Sequence, residues 1–139
     1  MRKFLIATHG NFAKGVKSSL DIIIGETENL FLIEAYVSEN KSIEEELKKV
    51  LDDLREEDEL VIFSDLLGGS VTNQILQQAL RKNVHIVSGF NLPLLLDILL
   101  QDADSPITEI IENGINSAKE QIVYVNKLIT SKNQENQND

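Results

Sequence analysis

The chain has no cysteine among its 139 residues, which excludes a disulfide framework and any thiolate metal site. It also lacks a long hydrophobic run. Met1-Arg2-Lys3 leads only into the apolar residues 4–7, too short for a signal-peptide core. No later stretch reaches the ~20 apolar residues of a membrane-spanning helix, so the expected location is the cytoplasm, with no insertion into a membrane. Positive charge is scarce: 13 Lys and Arg stand against 23 Asp and Glu, a formal net charge of −10. Such a field repels nucleic acid, and no Lys/Arg stripe relieves it locally. Internal repeats and interior linkers are missing as well. The expectation is one domain over residues 1–129 and a polar tail at 130–139, expected to be disordered because it has no apolar periodicity.

What is present is an ordinary globular composition, 42% hydrophobic and 26% charged. A chain of this size buries roughly two-thirds of its unfolded surface, enough for a core. The acidity is concentrated at Glu44-Glu45-Glu46 and across residues 52–59. These runs read as solvated helix faces, with a docking surface for a basic protein as the alternative.

Short apolar runs at residues 4–8 and 60–64 predict strands buried on both faces, and residues 30–35 and 84–88 are the second and fourth strand candidates. Helical spacing follows the first, through Phe12, Val16, Leu20, Ile23 and Ile24, with Gly25 as the stop. Ser42 and Glu45 form a capping box for a helix whose apolar face is Leu47, Val50, Leu51 and Leu54. Residues 70–82 predict a helix with Val71, Ile75, Leu76 and Leu80 inward. Asn91 caps an apolar helix over residues 92–100, with Pro93 in its first turn. Ser105-Pro106 starts another, with Ile107, Ile110, Ile111, Ile115 and Ala118 on one face. Residues 122–129 (IVYVNKLI) predict a final strand. Strands alternating with helices imply parallel βαβ units, hence an α/β fold with an open, doubly wound, mainly parallel sheet.

In such sheets ligands bind beyond the carboxyl ends of the strands, where the strand order reverses. The first strand ends in Thr8-His9-Gly10, the third in Asp65-Leu66-Leu67-Gly68-Gly69-Ser70, and the fourth in Gly89-Phe90-Asn91. With the first strand central and next to the third, as in flavodoxin-like orders, His9 and Asp65 flank the crevice. Neutral imidazole is nucleophilic near neutral pH, its unperturbed pKa being about 6.5. A carboxylate on one ring N–H fixes the tautomer and stabilises the charge that develops when the other nitrogen attacks. Gly68 and Gly69 let the backbone approach an anion, and a helix starting at Ser70 aims its free N–H groups there. The dipole adds only about 0.3–1 kcal/mol, so the hydrogen bonds matter more. Each feature alone also serves as an ordinary turn or cap; their meeting on one edge carries the argument. His85, the second of two histidines, begins its strand. It therefore lies on the opposite edge, roughly 16 Å away for five strand residues.

The order Thr8-His9-Gly10, then Asp65-x-x-Gly68-Gly69-Ser70-x-x-Asn73, then Gly89-x-Asn91-x-Pro93 resembles the enzyme IIA component of mannose-family sugar phosphotransferase systems. The resemblance covers residues 1–129. It implies that His9 takes a phosphoryl group from the carrier protein HPr and passes it to a histidine of a IIB component. It makes Asp65 the orienting carboxylate and Ser70, with Gly68 and Gly69, the phosphoryl-binding group, and it calls for no metal and no cofactor. Members commonly have proline after the serine, where this chain has Val71; that removes a preset backbone angle and no phosphate ligand. The chain is too short for a fused IIB, so a free-standing IIA is expected. The sugar is not written here, because a IIA domain touches proteins and a phosphoryl group only.

Histidine phosphatases carry Arg-His-Gly after strand one, and Thr8 stands where their arginine would clamp phosphate. A response-regulator receiver needs an acidic pair in that place. The P-loop spacing fails at Val16-Lys17-Ser18, and G-x-G-x-x-G does not occur. The alternatives are a histidine-phosphatase-like hydrolase and a non-catalytic regulatory module on the same fold. Finally, the helix from Pro106 runs to about Gln121 and meets the expected last strand with almost no loop, where about 2–6 residues are usual. A short hinge favours exchange of the terminal element, and the resemblance also implies a homodimer that swaps a C-terminal antiparallel strand.

Overall fold

The computed structural model describes residues 1–40, 42–81 and 83–138. Among them are four strands and six helices in the order β1 (Arg2–His9), α1 (Phe12–Ile24), β2 (Leu30–Ala35), α2 (Ile43–Asp52), β3 (Glu59–Ser64), α3 (Ser70–Ala79), β4 (Val84–Ser88), α4 (Leu92–Leu99), α5 (Ile107–Glu120) and α6 (Val125–Asn138). The chain divides into two compact units, Met1–Leu92 and Pro93–Asp139.

The first unit is built on a parallel sheet in the order β2-β1-β3-β4. The chain starts in the centre, steps outward to β2 and returns past β1 to β3. Right-handed crossovers then put α1 on one face and α2 and α3 on the other. Successive strand residues alternate between these faces. Leu5, Ala7, Ile33, Leu60 and Ile62 join Ile43, Leu47 and Leu51 of α2 and Val71, Ile75 and Ala79 of α3 in one buried cluster. Phe4, Ile6, Val61 and Phe63 are buried on the opposite face, which α1 covers with Ala13, Val16 and Leu20.

Local chemistry explains the boundaries. Ser42 Oγ accepts from the Glu45 N–H at 3.1 Å and opens α2 as the capping pattern predicts. Gly25 ends α1 with φ at 81°, a conformation open to glycine. Two inward stripes differ from expectation. Phe12 and Ile23 are half-exposed, because Ala13 takes the central position of α1 and rotates the stripe by one residue. In α3 the small Thr72 and Ala79 face the sheet with Val71 and Ile75, while Leu76 and Leu80 are exposed. The helix ends at Ala79, which carries Leu80 off the packed face; Lys82, its expected last residue, lies outside the described residues.

The amino ends of the two central strands are tied by one carboxylate. Buried Asp58 accepts from the Met1 ammonium at 3.0 Å and from the Arg55 N–H at 3.0 Å, with Lys3 Nζ at 3.6 Å. The Arg55 N–H first, then the Met1 ammonium, hold its pKa at about 2, below the ordinary 3.8. A carboxyl lowered on folding stabilises the fold fully above its unfolded pKa and loses that contribution as pH falls through the folded one. Asp58→Asn is expected to melt lower than the wild type at pH 7. The gap closes between about pH 4 and pH 2, which thermal melts across that range will read.

In the second unit α5 crosses α4 at Gly114, where a Cβ would stand 3.2 Å from Ile98 Cγ1 and 3.4 Å from Leu94 Cδ1. Pro106 itself occupies the cap position of α5. The expected strand at residues 122–129 is not formed. Residues 122–124 are irregular and α6 begins at Val125, continuing through residues 130–138, where a disordered tail was expected. The IVYVNKLI run fits either period, and a helix satisfies its own backbone whereas a strand needs a neighbour. Asp139, the last residue of the expected tail, lies outside the described residues.

Candidate active site

Strand order reverses between β1 and β3, so a crevice opens at their carboxyl ends. His9 is the last residue of β1, and Asp65 directly follows β3. Asp65 Oδ2 accepts twice from His9, from the backbone N–H at 2.8 Å and from the ring at Nδ1, 2.9 Å away. Its other oxygen, Oδ1, is buried and takes no hydrogen bond, so the carboxylate's bonding is committed to His9. The Asp65 side chain is 10% exposed and that of His9 37%. Burial alone pushes the Asp65 carboxyl up; the His9 backbone bond, the imidazole bond and the imidazole charge outweigh it and hold the pKa below the ordinary 3.8. An ionised carboxylate only accepts, so Nδ1 carries a proton, and in the neutral imidazole Nε2 presents the lone pair.

Nε2 lies 3.3 Å from Ser70 Oγ, the first residue of α3. Gly69 occupies the cap position of α3 and no side chain caps the helix, which leaves its first N–H groups for a ligand. A Cβ on Gly69 would crowd Leu66 Cβ at 3.3 Å and touch His9 Cε1 at 3.5 Å, an ordinary contact. Gly68 turns the loop with φ at 77°. The loop is pinned from below by the buried Thr72 hydroxyl, which bridges Ser64 Oγ at 2.7 Å and the Leu66 carbonyl at 2.5 Å. The Asn73 amide reaches the Gly68 carbonyl at 3.5 Å.

The structure thus brings His9, Asp65, Gly69 and Ser70 together, with Gly68 in the same loop. His85 pairs in register with Val61, near the amino end of β3 and away from this edge. Phe90 packs, stacked on Phe12 at 5.5 Å and edge-on to Phe63 at 6.5 Å. The capping role of Thr8 and the presence of Tyr36 here were not read from the sequence. Thr8 is fully buried, and its Oγ1 accepts from the Ala13 N–H at 2.8 Å. It therefore caps α1 from beneath, and no guanidinium occupies the place where a histidine phosphatase has one. Tyr36 places its hydroxyl 2.8 Å from Ser70 Oγ and its ring 5.8 Å from the imidazole. Its signal was available: it directly follows the carboxyl end of β2, the other neighbour of β1. In the segments that follow β1, β2 and β3, Phe12, Tyr36, Val37, Leu66 and Leu67 are exposed.

Fold and site together define an open α/β protein with an oriented histidine facing an uncapped helix end. Residues 3–115 match the family described as PTS system fructose IIA component, EIIA-man. The fructose-specific EIIA component of Bacillus subtilis is 31% identical over 101 residues, 71% of this chain and 69% of that protein. A solved structure from Klebsiella pneumoniae, named for a phosphoenolpyruvate-dependent sugar phosphotransferase system permease, superposes with a TM-score of 0.86 at 32% identity, covering 92% of this chain and 93% of that one. The phosphotransferase system component EIIA of Streptococcus agalactiae gives 0.75 at 29% identity, over 91% of this chain and 99% of that one. The chain belongs to this family and is a IIA component of a sugar phosphotransferase system. No helix among the described residues is long and apolar enough to cross a membrane.

Proposed function

We propose that His9 accepts a phosphoryl group from phospho-HPr and passes it to a histidine of the cognate IIB component during coupled sugar uptake. The observation that carries this reading is the 2.9 Å contact from Nδ1 to Asp65, which turns Nε2 to Ser70 and the start of α3 and makes it the lone-pair nitrogen of the neutral ring. The Nε2 lone pair attacks phosphorus, the donor's P–N bond breaks, and its electron pair returns to the donor imidazole. Asp65 stabilises the positive charge that grows on the ring, through the proton that stays on Nδ1. Ser70 and the first N–H groups of α3 bind the phosphoryl oxygens. Transfer to IIB reverses these steps. The exposed apolar residues that follow β1, β2 and β3 suit docking of a partner protein, a reaction set in the cytoplasm.

The test is incubation with phosphoenolpyruvate, enzyme I and HPr, followed by mass mapping of the phosphorylated residue. A single label on His9 is expected; no label, or a label elsewhere, overturns the reading.

A homodimer is part of the same proposal. Ile122, Val123, Tyr124, Val125, Leu128 and Ile129 are exposed in the single chain, an apolar surface suited to a second copy. The full-length chain is expected to sediment as a dimer at micromolar concentration and a chain ending before Ile122 as a monomer. A monomeric full-length chain removes the dimer from the proposal.

A further inference from the structure

Tyr36 is built into the site although nothing in the motif pattern singles it out. We infer that it is a positioning residue for phosphoryl transfer, acting through Ser70: its hydroxyl fixes the direction in which Ser70 donates. The inference rests on the transfer role given above to His9.

Donor and acceptor roles in the site are set by the chemistry of each group. Asp65 can only accept, so in the neutral, nucleophilic form of His9 the single ring proton sits on Nδ1 and Nε2 can only accept. Of the two atoms 3.3 Å apart, Ser70 Oγ must then be the donor and Nε2 the acceptor. Ser70 has one proton and has spent it on Nε2. In the 2.8 Å contact between the hydroxyls, Tyr36 must therefore donate and Ser70 accept. The chain Tyr36 O–H to Ser70 O–H to Nε2, with Nδ1–H to Asp65 on the far side, has one consistent direction. It is anchored at one end by the ionised carboxylate and at the other by the phenol. When phosphorus bonds to Nε2, the lone pair becomes the P–N bond and the Ser70 proton turns to a phosphoryl oxygen. Tyr36 still donates to Ser70, so one of the serine's lone pairs stays engaged and its proton is kept from turning toward the phenol.

Backbone conformation supports the assignment independently. Tyr36 has φ at 67°, the left-handed region that bulky residues seldom adopt and that surroundings must hold in place. Its neighbour Ala35 is in register with His9, and the Ala35 carbonyl accepts from the Gly10 N–H at 2.8 Å. The strained residue thus starts from a fixed point beside the histidine, and its side chain is 67% of the way to full exposure yet directed to Ser70. The left-handed backbone and the hydroxyl contact occur together at this one residue.

Tyr36→Phe keeps the ring and removes the donor. Phosphoryl transfer from phospho-HPr is expected to slow about tenfold in kcat, the worth of one hydrogen bond, with KM unchanged because the ring still stands at the rim. In a Ser70→Ala background the same substitution is expected to cost nothing further, since the group it acts through is gone. The unphosphorylated protein gives a readout that needs no transfer: the Nε2 nitrogen resonance of His9 is expected to move downfield in Tyr36→Phe as the Ser70 bond weakens. A wild-type transfer rate in Tyr36→Phe, or an undiminished tenfold loss in the Ser70→Ala background, overturns the inference. A wild-type protein that takes no label overturns the transfer reading instead, and the nitrogen resonance then decides the role of Tyr36 by itself.

Discussion

His9→Ala is expected to take no phosphoryl group from phospho-HPr, while His85→Ala is labelled like the wild type. The loss is complete because no other nucleophile in the crevice can replace the imidazole. Ser70 and Tyr36 are hydroxyls already engaged with each other, and Asp65 is committed to holding His9. His85 is spared because it sits in register with Val61 at the other end of the parallel strands. The His9 side chain is 37% exposed, so His9→Ala leaves the core intact, and a thermal melt checks the same for His85, which is half-buried on β4. The measurement is the mass of the intact protein after incubation with phosphoenolpyruvate, enzyme I and HPr. Label that persists in His9→Ala removes His9 as the acceptor.

Asp65→Ala is expected to slow transfer by about 10²–10⁴-fold, the range an orienting or acid–base partner carries. Two effects combine. Without the carboxylate nothing selects the Nδ1–H tautomer, so a large share of molecules present a protonated, non-nucleophilic Nε2. The charge that develops on the ring during attack also loses its counter-ion in a partly buried setting. The same substitution frees the His9 N–H, bonded to Asp65 at 2.8 Å, so a lowered melting temperature accompanies the slower rate. Because the Asp65 pKa is depressed in the fold, that stabilisation is present above the ordinary carboxyl range and is lost as pH falls through the lowered value. The melting difference between wild type and Asp65→Ala therefore narrows in acid. Single-turnover transfer beside a thermal melt separates the two losses, and an unchanged rate takes Asp65 out of the mechanism.

The sequence by itself determined the strands. Continuous apolar runs such as LIA in β1 and LVIF in β3 have no other economical use than burial on both faces of a parallel sheet. The start of α2 was equally local, since Ser42 and the Glu45 N–H that it caps are three residues apart. Even the grouping of His9, Asp65 and Ser70 was legible, because parallel strands deliver their carboxyl ends to one edge whatever their order. Tertiary structure decided the rest, and each case turns on residues distant in sequence or on a missing neighbour. That β1 lies beside β3, which lets Asp65 reach His9, is a matter of strand order and leaves no trace in local pattern. Thr8 caps α1 from a buried strand end, and Tyr36 meets Ser70 across 34 positions. The IVYVNKLI run carried both periods, and as a single chain it formed a helix from Val125. A helix closes its hydrogen bonds within itself, whereas a strand depends on an edge that another segment must supply.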